Sequence, residues 1–173
     1  YKHAKQARRT MPAGMFIGRS IKIILVLTDD VRDMNDSSES EMENTCKELL
    51  GAFHGVLSWK WDDRFEAALA EFDTVDKDRI HAILGQHFNM AWESSTIHKA
   101  PPTVQKVNGY LGKLRSGQIL FTSDTDRPAY IYCAWWPWGN GRTISIRIAP
   151  CYKSLPNKDK AEKISRFRDW FGI

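Results

Sequence analysis

The sequence predicts an α+β fold: a single domain over residues 21–173, with a mainly antiparallel sheet of about four strands, a C-terminal Trp-rich β-hairpin and four to five packing helices. Three observations carry this expectation. At 173 residues the chain can bury a substantial core as one domain. Between Tyr130 and Pro150, two β-favouring runs flank Gly139-Asn140-Gly141, residues that tolerate the positive φ of a hairpin turn. Elsewhere the apolar residues recur at helical spacing.

Composition narrows the class. Hydrophobic residues make up 42% and charged residues 27%, the balance of a folded globular chain. No apolar run approaches the roughly 20 residues of a membrane helix, so no membrane role is expected. Tyr1 at the head of the sequence points to a start that lies upstream, and no signal-peptide pattern is visible. Cys46, Cys133 and Cys151 show no CxxC spacing and read as reduced thiols, which places the protein in the cytoplasm. The net charge of +4 is uneven. Residues 1–20 hold Lys2, Lys5, Arg8, Arg9 and Arg19 without an acid, and residues 153–173 hold six bases against three acids. The body between them is therefore acidic, which argues against a nucleic-acid surface there while leaving the two basic ends able to touch phosphate.

In chain order, residues 1–20 lack periodicity and read as a flexible basic arm. Ile21–Leu27 (IKIILVL) has the length and continuity of a strand covered on both faces. An acidic stretch follows, with Asp29, Asp30, Asp33, Asp36, Glu39, Glu41, Glu43 and Glu48 against Arg32 and Lys47. Ser38 and Glu41 have capping-box spacing, and Met42, Cys46, Leu49, Leu50, Phe53 and Leu57 form one apolar helix stripe. The acids read either as a solvated helix start or as a docking face for a basic partner. Ser58–Trp61 is a short strand or loop. Asp62 or Asp63 is expected to cap a helix carrying Phe65, Leu69 and Phe72, and Asp76 one carrying Ile80, Ile83, Leu84 and Phe88. His81 and His87 stand about 240° apart on that helix, so they cannot share a metal ion. Asn89–Pro102 reads as irregular. Thr103 is expected to cap a helix through Val104, Val107, Leu111 and Leu114, ending at Gly117. Ile119–Thr122 is a strand leading into the hairpin. There Ile144, Ile146 and Ile148 alternate with Thr143, Ser145 and Arg147. The last helix runs near Pro156–Phe171 and buries Ile164, Phe167, Trp170 and Phe171.

No phosphate loop, nucleophile elbow, dinucleotide fingerprint or kinase set is present. No cofactor or metal is expected. A small hydrolase using Cys133 or Cys151 with His98 stays open only because such partners need not be close in sequence. The seven tryptophans say more. Adjacent Trp135 and Trp136 must point to opposite faces of a regular strand, and Trp138 follows Pro137 into the turn. At least one indole therefore comes near the surface, beside Arg142. That composition suits a protein-binding hot spot and also base stacking, so a nucleic-acid-binding or processing domain is the alternative reading.

An N-terminal apolar strand, a helix reading LLGAFHGVLSWKW, a helix opened by DKDRIHAIL and a late strand NGRTISIRIAP occur here in that order. This pattern, over about residues 21–150, resembles the bacterial polymorphic-toxin immunity proteins of the family called immunity protein fifty-two. The resemblance implies a non-enzymatic protein that binds and neutralises a cognate toxin, often a nuclease, in the cell that makes it. It brings no catalytic residues. The surfaces it singles out are Trp59 and Trp61, the segment Trp135, Trp136, Trp138, Asn140 and Arg142, and the acids Asp29, Asp30 and Asp33. The basic arm and basic last helix depart from an acidic mimic of nucleic acid.

Overall fold

The computed structural model describes residues 36–173. The expected arm at 1–20, the expected strand Ile21–Leu27 and the candidates Asp29, Asp30 and Asp33 lie outside the described residues.

The fold is α+β, but the sheet has six antiparallel strands among the described residues, not about four. They are β1 (Lys60–Asp62), β2 (Ala67–Asp73), β3 (Met90–Glu93), β4 (Ile119–Thr122), β5 (Ala129–Pro137) and β6 (Thr143–Tyr152), arranged β1-β2-β6-β5-β4-β3. A four-strand meander, β3 to β6, thus carries the β1–β2 hairpin on its β6 edge. Among the described residues four α-helices pack against it: α1 over 36–52, α2 (Lys77–His87), α3 (Pro102–Tyr110) and α4 (Asn157–Phe171). Two 3-10 turns, Thr74–Asp76 and Ile97–Lys99, precede α2 and α3.

The miscount has identifiable causes. The segment AALAEFD is rich in good helix formers, so Leu69 and Phe72 read as one face of a helix. They form β2, because six of its seven residues pair with β6, from Ala68 opposite Ile148 to Asp73 opposite Thr143. That partner is more than seventy residues away in sequence and leaves no local signal. β3 is only MAWE. It is fixed by pairing with β4 and by the Trp92 Nε1–H donating to Thr122 Oγ1 at 3.1 Å.

Side-chain alternation divides the sheet into two faces. Ala68, Ala70, Phe72, Phe121, Ile131, Cys133, Trp135, Ile144, Ile146 and Ile148 point to the first face. They meet Met42, Cys46 and Leu49 of α1 and Phe53 just after it, Ile80 and Leu84 of α2, and Phe167 and Phe171 of α4. Burying each of the large side chains contributes about 1.5–3 kcal/mol. The expected stripes of α1 and α4 supply this core, although Leu50, Leu57, Ile164 and Trp170 are only partly covered. The second face carries a smaller cluster, Leu120, Tyr130, Tyr132 and Ala149 under Val104 and Val107 of α3, with Trp92 and Ala100.

Three caps differ from expectation. Helix is already under way at residue 36, so Ser38 is a buried residue inside α1 and not its cap. Thr103 lies within α3, which opens on Pro102 without a side-chain cap. That helix ends at Tyr110, before Gly117, because Gly112 and Lys113 turn left-handed and the Asn108 side chain accepts from the Leu114 N–H. Asp76 does stand at the start of α2, but its side chain makes no cap bond; Asp73 instead accepts from Val75 N–H at 3.0 Å.

Candidate functional site

The covering of the two faces is unequal, and the hairpin makes the inequality matter. On β5 and β6 the second-face residues are Tyr130, Tyr132, Ala134 and Trp136, paired in register with Cys151, Ala149, Arg147 and Ser145. The nine-residue α3 covers the Tyr130–Tyr132 end. Toward the hairpin tip polar and aromatic side chains, instead of a helix, cover the face, and Ala134 and Ser145 beneath them are fully buried.

Arg147 is the centre. Its Nε donates to Asp62 Oδ2 at 2.7 Å, and its Nη1 donates to Ser145 Oγ at 3.0 Å. The guanidinium carbon lies 4.4 Å from the centroid of Trp136 and 5.5 Å from that of Phe65. A planar, weakly hydrated cation suits such a stack. Arg147 and Asp62 keep only 13% of their side chains exposed, so this pair is much less screened than the Lys60–Glu71 bridge beside it. Phe65 meets Trp136 edge-on at 5.3 Å and Tyr110 at 5.9 Å. On its other side Arg64 stands 4.9 Å over the Phe65 ring. Trp138 folds back over the same face, its Nε1–H donating to Ser145 Oγ at 3.2 Å, yet 48% of the residue remains exposed. Tyr110, at the other end of the row, is 54% exposed.

The tip that presents Trp138 is held by its own sequence. Asn140 Oδ1 accepts from the Arg142 and Thr143 N–H groups at 2.9 and 3.0 Å, and Asn140 Nδ2 donates to Thr143 Oγ1. Gly141 takes φ +68°, a conformation that favours glycine. Thr74 N–H donates to the Arg142 carbonyl at 2.8 Å, fastening the tip to the turn before α2.

The expected site residues separate into two groups. Trp136, Trp138, Asn140 and Arg142 sit together at the open end. Trp59, Trp61 and Trp135 lie on the helix-covered face. Trp59 is wedged between Phe53 and Phe171, Trp61 lies under the Arg168 guanidinium, and Trp135 packs against Phe72 and His81. Sequence reasoning did not single out Arg147, Phe65, Arg64, Tyr110, Asp62 or Ser145 as a site. Arg147 and Ser145 stand at the polar positions of the β6 alternation, where water is expected, yet Ser145 is fully buried and Arg147 keeps only 13% of its side chain exposed. Phe65 was assigned to a helix that does not form, and Tyr110 gave no signal.

Four acids of the acidic stretch are engaged within the chain. Glu39, only 7% exposed, is bound by Lys163 and Arg166 of α4. Glu41 pairs with Arg127, Glu43 with Lys47, and Glu48 lies 3.5 Å from His87.

No family model, curated protein or solved structure matches this chain.

Thiol chemistry finds little in this arrangement. Cys133 is wholly enclosed on the helix-covered face, and burial pushes its thiol far above the ordinary range. His98 belongs to the turn preceding α3, on the opposite side of the sheet. Cys151 is half-buried beside Tyr130, and burial raises its thiol as well, the Tyr130 hydroxyl opposing that rise. Among the described residues no three His, Cys, Asp or Glu side chains converge as metal ligands.

Proposed function

We propose that this protein is a non-enzymatic binding domain whose open sheet face grips another protein. In line with the resemblance to toxin-immunity proteins, we take the partner to be a cognate bacterial toxin. The observation that carries the reading is Trp138, a half-exposed indole on a pinned hairpin, continuous with the Trp136–Arg147–Phe65–Tyr110 row. Trp, Tyr and Arg are the residue types that dominate protein-interface energetics. Because the rings and guanidinium already hold one another, little side-chain freedom remains to be lost on association.

The alternative that uses the last helix to touch phosphate draws little support from its cations, since all but Lys158 are engaged. Lys160 pairs with Glu66, Lys163 and Arg166 with Glu39, and Arg168 with the Ile173 carbonyl.

Calorimetric titration against the toxin encoded beside this gene tests the reading. Trp138→Ala is expected to weaken the complex by at least about thirtyfold, the scale of a hot spot worth about 2 kcal/mol. Arg142→Ala is expected to weaken it less, with circular dichroism unchanged in both variants. Unchanged affinity for Trp138→Ala would remove this face from the interface, and absence of binding by the parent protein would remove the toxin.

A further inference from the structure

We propose that a groove on the α3 side of the sheet is a binding site for a small amphiphilic anion, an apolar chain or ring ending in a carboxylate or similar group. The groove has a volume of about 320 Å³ and opens between α3, the β1–β2 turn, the far ends of β5 and β6 and the start of α4. That size lies at the lower end of ligand pockets, roughly 300–1,000 Å³. Phe65, Val107, Tyr110, Tyr132, Leu155 and Ile164 give it an apolar lining.

Its walls are braced rather than collapsed. Glu66 adopts φ +48°, an unusual conformation for a residue with a side chain, which stores strain in the β1–β2 turn. The turn is closed by Arg64 N–H donating to Asp62 Oδ1 at 3.1 Å. From it Glu66 reaches Lys160 of α4 at 2.7 Å, both residues lining the groove. Tyr110 donates its hydroxyl proton to the Arg64 carbonyl at 3.2 Å, so the α3 wall is tied to the same turn.

Charge selects the head group. The Glu66 carboxylate is matched by Lys160, whereas Lys106 lines the groove and forms no ion pair among the described residues. Lys106 is exposed at the rim of the groove, so an anionic head group gains a modest, salt-screened attraction there while its apolar tail covers the rings. The groove shares Phe65 and Tyr110 with the row proposed to meet a protein partner, but this inference rests on Lys106 and the apolar lining and not on Trp138, so octanoate binding and toxin binding are weakened separately in Lys106→Met and Trp138→Ala.

Titration with hexanoate, octanoate and decanoate, and with octanol as the neutral control, followed by amide chemical shifts, tests the proposal. Saturable one-to-one binding is expected, with shifts centred on Val107, Tyr110 and Cys151 and Kd falling about fourfold per added methylene until the groove is full. Lys106→Met is expected to weaken octanoate about three- to fivefold at low salt and to leave octanol unchanged. Ile164→Trp, which fills the groove, is expected to abolish both; should that variant fail to fold, the shift map and Lys106→Met decide. Affinity independent of chain length, shifts centred elsewhere, or equal effects of Lys106→Met on octanoate and octanol would overturn the site.

Discussion

On the first face of the sheet, Ile144, Ile146 and Ile148 meet three helices and are almost entirely dry. On the second, Ser145 and Arg147, one residue along the same strand, meet each other and groups of neighbouring strands and loops. Both faces are ordered, but by different means. The first is held by apolar burial, which is non-directional and strong in sum. The tip half of the second is held by one ion pair, a shared hydroxyl and three cation–π contacts, each directional and individually modest. A surface so ordered can be specific and wet at once, as recognition requires, whereas a buried face can only stabilise.

The contrast can be broken first at the helix side. Phe167→Ala empties a fully buried position under α4 and is expected to cost about 3–5 kcal/mol in urea unfolding. Arg147→Met keeps much of the side-chain volume but strands the half-buried Asp62. It is expected to cost roughly 1–3 kcal/mol, and adding Asp62→Asn is expected to recover part of that loss, measured as a double-mutant coupling. A cost for Arg147→Met equal to that of Phe167→Ala would mean that the open end is core and not surface. The smallest effect belongs to the tip. Asn140→Ala deletes two bonds to backbone N–H groups and is expected to cost about 1 kcal/mol, with hydrogen exchange at Arg142 and Thr143 accelerating while exchange in α1 does not change.

The hairpin was the most legible part of the chain, since alternating isoleucines and Gly-Asn-Gly encode strand and turn within a few residues. The α1 and α4 stripes were legible for the same reason. The number of strands was not. Ala67–Asp73 carries helix-favouring residues and becomes a strand only through β6, and Met90–Glu93 is too short to announce a period. The candidate site was half legible. Opposed Trp135 and Trp136 follow from a period of two, but which of them would be covered depends on where the helices pack. Placing Phe65, Asp62 and Arg147 together required strands from opposite ends of the chain to become neighbours.

By itself, then, the sequence determined the local elements whose periods and turn residues are written in consecutive positions, and with them the Trp-bearing tip and the apolar faces. Only the tertiary structure decided the six-strand order, the division of tryptophans between a covered and an open face, and the arginine-centred row. The physical reason is that pairing between distant strands and the allocation of three helices to one side and one to the other are set by the burial of the whole chain, a quantity that no short window contains.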